Sequence, residues 1–227
     1  MMRLNIIAEG QSEETFVNEL LVDHLSSMNV FPVVQCVITS RDRAASRTYK
    51  GGLLSYQKLR DHVRTWLAQD KDTQARFTTM IDLYALPSDF PKIDESRKIA
   101  DPYRRVEFLQ TAFAANIEDE RFIPYIQLHE FEALLLSVPQ AFENYYIEHA
   151  SEIKKLSEMV AKFDNPELIN DGQHTAPSKR IEHHLPGYSR TKVAASKVVA
   201  TAIGLLSMRK SCKHFDQWLS HLETLAD

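Results

Sequence analysis

The chain has 227 residues, 44% of them hydrophobic, with two cysteines and a formal net charge of −4. That is enough apolar material for one large domain, or for a domain with an appended subdomain. The negative charge argues against a protein that coats nucleic acid through bulk positive charge, while a local basic groove stays compatible with it. Cys36 and Cys212 lie far apart and form no CxxC pair, so zinc and disulfide frameworks are not indicated.

The chain begins with an apolar run, Leu4, Ile6, Ile7 and Ala8, that reads as a buried strand. Glu9 and Gly10 stop it, and Ser12 with Glu13 and Glu14 begins a helix at once. VFPVVQCVIT (30–39) reads as a second strand. The basic stretch behind it, with Arg41, Arg43, Arg47 and Lys50 ahead of Gly51-Gly52, suits a nucleic-acid backbone. It lacks the GxxxxGK[ST] spacing of a nucleotide-binding loop. Leu54, Leu59, Val63 and Leu67 form one helical face, and ARFTTMIDLYALP (75–87) is a third strand that stops at Asp82.

Residues 102–117 have a helical pattern, RFIPYIQL (121–128) is a fourth strand, and HEFEALLLS (129–137) opens another helix. This order predicts an α/β fold with a mainly parallel sheet flanked by helices. Residues 1–137 are expected to form the α/β domain, and 138–227 a helical subdomain packed on it. No stretch looks long and apolar enough for a membrane span, which takes about 20 residues. A cytoplasmic protein without a leader is therefore expected.

Acids recur where the strands end: Glu9, Asp82, and Glu130 with Glu132. In open α/β sheets this edge is where ligands bind. Converging carboxylates repel one another unless a cation neutralises them, and all-oxygen donors suit Mg²⁺ or Mn²⁺. Each acid taken singly also fits a helix cap. Glu130 and Glu132 are two apart, so on a regular helix they face different ways.

These residues resemble the Toprim pattern, and specifically the Toprim-like DUF4276 family. The Toprim pattern has a glutamate after the first strand, a DxD after a later strand, and a further acid after the next. AEGQSEETF matches the first element through Glu9, with Glu13 where nuclease members carry a second acid. MIDLYALPSDFP supplies Asp82, and IPYIQLHEFEALLL resembles the last element. KGGLLSY, APSKRI and GLLSMRKSCKHFDQWL also look like the DUF4276 group, so the resemblance covers nearly the whole chain. Tyr84 stands where the second Asp of DxD belongs, and Asp89 is the nearest downstream acid.

The resemblance implies a Toprim-like, Rossmann-like fold and Mg²⁺- or Mn²⁺-dependent phosphodiester chemistry on DNA or RNA. The metal ligands would come from Glu9, Glu13, Asp82, Asp89, Glu130 and Glu132. Glu9 doubles as a general-base candidate, and His129 is a candidate for contact with phosphate or metal-bound water. Overcoming-lysogenization-defect nucleases use a lysine beyond the acidic motifs; Lys179 resembles it, with Arg180 beside it. Toprim–ATPase pairs in antiphage defence suggest a partner ATPase. The alternative is an inactive Toprim-like module that binds nucleic acid or the ATPase, and Tyr84 favours it.

Overall fold

The computed structural model describes residues 1–42, 47–50, 55–169 and 175–227. The chain divides into two compact units, Met1–Gln127 with Leu222–Asp227, and Leu128–His221. The sequence reading draws its boundary at 137/138, ten residues further along than the line between the two units.

The first unit is built on a five-stranded parallel sheet, an arrangement consistent with a Toprim-like α/β fold. β1 (Met2–Ala8) lies between β2 (Val30–Cys36) and β5 (Arg76–Asp82). From Leu4 to Ala8 every residue of β1 is buried, as a parallel strand covered on both faces requires. A helical segment runs from α1 (Gln11–Phe16) through a π-helical stretch, Val17–Leu21, into α2 (Val22–Ser26), which packs against β2.

The apolar run at 30–39 does not make one strand. β1 ends with Ala8 opposite Cys36, and the ladder closes there with the Val37 N–H donating to the Ala8 carbonyl at 2.9 Å. The chain turns instead into an antiparallel hairpin of β3 (Ile38–Asp42) and β4 (Arg47–Lys50).

α3 (Tyr56–Gln69) buries Tyr56, Leu59, Val63 and Leu67, three of them on the apolar face read from the sequence; Leu54 lies outside the described residues. After β5 and the short α4 (Ile93–Ser96), α5 (Pro102–Ile117) starts where Asp101 accepts the Arg104 N–H, with Pro102 in its first turn. An edge-to-face aromatic cluster of Tyr56, Phe90, Phe113 and Phe122 fills the space around it.

The expected fourth strand is present as two short pieces, β6 (Phe122–Ile123) and β7 (Ile126–Gln127), both parallel to β5 and in one register. The break has a direct cause, because Pro124 has no N–H to give to a ladder. The Thr79 hydroxyl fills in: it donates to the Tyr125 carbonyl at 2.8 Å and accepts the Tyr125 N–H at 2.9 Å. The chain therefore stays in register across the gap.

The second unit is helical, with α6 (Glu132–Leu135), α7 (Ala150–Val160), α8 (Pro177–His184), α9 (Tyr188–Ser211) and most of α10 (Lys213–Glu223). Contrary to the sequence expectation, α9 is long and apolar enough to cross a membrane by length and composition, with a mean hydropathy of 1.3. It buries Ala195, Ser196, Val199, Ala200 and Ile203, and its helical geometry breaks at Gly204 (φ 72°, ψ 156°). Only 33% of that apolar window is buried, with Val193, Val198 and Leu206 exposed, so the helix packs through one face and kinks at its glycine.

Candidate functional site

In the first unit, β1 and β5 run side by side with Ala8 opposite Met80, so their carboxyl ends emerge together. The Glu9 N–H still donates to the Met80 carbonyl at 2.9 Å. Its side chain then turns back, and Glu9 Oε2 accepts the Asp82 N–H at 3.0 Å. This bond holds the Glu9 carboxylate against the last residue of β5. Asp82 itself is largely buried and has Gln127, a fully buried residue, as its register partner on β7. Two of the expected acids are thus brought to adjacent strand ends, on elements rigid enough to hold them.

Glu13 and Asp89 have other engagements. Glu13 Oε2 accepts the Gly10 N–H at 2.9 Å, closing the first turn of α1 as a capping box does. Asp89 Oδ1 accepts the Tyr56 N–H at 2.9 Å and so caps the start of α3. Tyr84 lies on the 3-10 turn Leu83–Ala85 just after Asp82 and is 39% exposed.

In the second unit a buried polar group gathers around the start of α6. Glu132 is fully buried, and its Oε1 accepts the Tyr188 hydroxyl at 3.1 Å and the Lys192 ammonium at 2.8 Å. Tyr188 in turn shares a 3.1 Å hydrogen bond with Ser196. Glu132 Oε2 is buried with no hydrogen-bond partner. Glu130 Oε2 accepts the Ser178 N–H at the start of α8, at 2.8 Å. Burial, and then the negative charge of Glu132, push the Glu130 carboxyl above its ordinary range. His129 is buried and has a left-handed backbone (φ 61°).

The Glu130 shift has a pH consequence. With its folded-state pKa raised, the folded chain holds a proton that the unfolded chain has released, so stability falls as pH rises from the ordinary value of 4.5 toward the raised one. Glu130→Gln keeps an oxygen for Ser178 and removes the titration. Without divalent cations, its thermal midpoint relative to wild type is expected to rise between pH 4.5 and neutrality. A pH-independent difference would contradict this.

Of the expected basic residues, Lys179 is exposed on α8. Arg180 is committed structurally, donating to the Thr175 carbonyl at 2.8 Å and lying 5.1 Å from the centre of the Phe163 ring. Arg43 lies outside the described residues, and Arg41, Arg47 and Lys50 are positions on the β3–β4 hairpin. Sequence reasoning missed Tyr188 and Lys192 as partners of Glu132, and Ser196 as the partner of Tyr188. Their spacing of four residues, which places all three on one helical face, was the available signal.

Among the described residues, no three His, Cys, Asp or Glu side chains come together as a ready-made metal cage. Mg²⁺ does not demand one, since it keeps several waters and is commonly held by one or two carboxylates plus substrate phosphates. Glu9 and Asp82 provide donors of that kind.

Comparison with known proteins matches residues 8–223 to DUF4276, described as a domain of unknown function. The chain belongs to the DUF4276 family. This DUF4276 protein matches no curated protein. Among solved structures it is similar to the C-terminal region of an OLD protein from Xanthomonas campestris pv. campestris, at 9% identity and a TM-score of 0.37, covering 96% of this chain and 95% of that one.

Proposed function

We propose that this DUF4276 protein is a Mg²⁺- or Mn²⁺-dependent Toprim-type nuclease that cleaves phosphodiesters of DNA or RNA, working in the cytoplasm as an antiphage-defence effector with a partner ATPase. The observation that carries the reading is the Glu9 carboxylate held on the Asp82 N–H at adjacent parallel strand ends. Oxygen donors at the carboxyl edge of a parallel sheet suit a hard divalent cation and a phosphorylated ligand. When bound, such an ion supplies Lewis acidity toward a phosphoryl oxygen. Glu9 and Asp82 are the residues that would hold it, and Lys179 would contact the nucleic-acid backbone from the exposed side of α8.

Ion binding stabilises the folded state by mass action, about 2.7 kcal/mol at one hundred times the dissociation constant. Millimolar Mn²⁺ is therefore expected to raise the thermal midpoint, and Glu9→Gln to reduce that rise. The test of function is a cleavage assay on plasmid and on RNA, with Mg²⁺ or Mn²⁺ against EDTA. Metal-dependent cleavage supports the nuclease; no cleavage with or without the ATPase overturns it.

Tyr84 in the second Asp position favours a second reading, an inactive module that binds nucleic acid or the ATPase. Retarded migration of nucleic acid without cleavage, unchanged by Glu9→Gln, would select it.

A further inference from the structure

We propose that Gln127 is a positioning residue for Asp82: its carboxamide, oriented by the buried Tyr125 hydroxyl, steadies the Asp82 carboxylate at the sheet edge for a divalent cation. The inference rests on the metal-dependent reading above and assigns a role to two residues that the reading leaves unused.

β7 departs from the composition expected of its place. Strands of a parallel sheet covered on both faces are normally apolar throughout, yet β7 ends in a fully buried glutamine. A buried carboxamide is costly unless its oxygen and its NH₂ are both paired. The oxygen is taken, because Gln127 Oε1 accepts the hydroxyl of Tyr125, itself a buried residue. The NH₂ is therefore the end that the carboxamide offers to the neighbouring strand.

The residue across that register is Asp82. Register partners share one face of a sheet, on strands about 4.8 Å apart, so a carboxamide donor meets a carboxylate there. The Thr79 hydroxyl holds both the N–H and the carbonyl of Tyr125, which anchors the orienting phenol to β5, the strand that carries Asp82. Asp82 is thus served from both sides. From β1 the Glu9 carboxylate takes its N–H, and from β7 Gln127 steadies its side chain. Gln127 is too buried to reach an ion or a phosphate and acts through Asp82. Loss of a group that orients a metal-binding side chain weakens metal affinity by about 10–100-fold.

Mn²⁺ binding to the full chain, read from the electron paramagnetic resonance signal of the free ion, tests this in Gln127→Met, Tyr125→Phe and the double variant. Thermal midpoints are recorded without metal in the same samples. Gln127→Met is expected to weaken Mn²⁺ binding about tenfold or more, and Tyr125→Phe, which keeps the ring, several-fold. Because Tyr125 acts through Gln127, the double variant should bind no more weakly than Gln127→Met alone. Val106→Ala, a buried change on α5, should lower the midpoint and leave Mn²⁺ affinity unaltered. Wild-type affinity in Gln127→Met, or in Tyr125→Phe where Gln127→Met does not fold, overturns this inference and leaves the metal reading standing. Additive losses in the double variant, or an equal loss in Val106→Ala, overturn it as well. If the wild type binds no Mn²⁺, both fail.

Discussion

Glu9→Gln and Asp82→Asn are each expected to lower the rate of nucleic-acid cleavage by about 100-fold or more, the scale on which preorganised charge contributes to catalysis. Both variants should fold. Gln at position 9 keeps an oxygen that can accept the Asp82 N–H, so the bond that ties the end of β1 to β5 survives. Asn at position 82 keeps the shape of a largely buried side chain and loses only its charge. The paired measurement is initial cleavage rate together with circular dichroism and thermal midpoint. Full activity in both variants would remove these two acids from the chemistry.

The largest effect on stability is expected at Glu167, which plays no part in the proposed chemistry. Glu167 is fully buried on the short 3-10 turn Pro166–Leu168, and its two oxygens accept the backbone N–H groups of His214 and Phe215 at 2.9 and 3.0 Å. These are among the first N–H groups of α10, which the helix itself cannot satisfy. Glu167→Ala leaves two buried donors without an acceptor, at about 1–3 kcal/mol each. Urea unfolding should therefore show a loss of about 3 kcal/mol or more, with Glu167→Gln less affected because it retains one acceptor oxygen. A loss below about 1 kcal/mol in Glu167→Ala would show that water replaces the carboxylate without cost.

How far the sequence could be read follows from which interactions are local. The strand at β1 and the helix at α5 were legible because their signals lie within the element: Leu4, Ile6, Ile7 and Ala8 close together in one case, a periodic apolar face over 102–117 in the other. The end of β2 was not, since Cys36 is its last paired residue only because Ala8 is the last of its neighbour. The gap between β6 and β7 was foreshadowed by Pro124, yet the Thr79 hydroxyl that bridges it comes from 46 residues away.

The same distinction divides the candidate site. Acids at strand ends can be counted along the chain, which is why Glu9 and Asp82 could be paired before their hydrogen bond was seen. Asp89 and Glu13 share the same local signal but spend it on helix starts. Nothing local to Lys192 points to its partner Glu132, which is 60 residues earlier in the chain. Arg180 read as a phosphate contact beside Lys179, but the Phe163 ring and the Thr175 carbonyl that engage it could not be placed from spacing. Glu167 sits in a Pro-Glu-Leu segment that reads as a break between helices, and nothing near it announces a buried cap.

Anomalous diffraction at the manganese edge from crystals soaked in millimolar Mn²⁺ tests the central claim most directly. The account predicts an ion bound by the carboxylates of Glu9 and Asp82, lost in Glu9→Gln crystals. A wild-type map with no anomalous peak at those two carboxylates would contradict it.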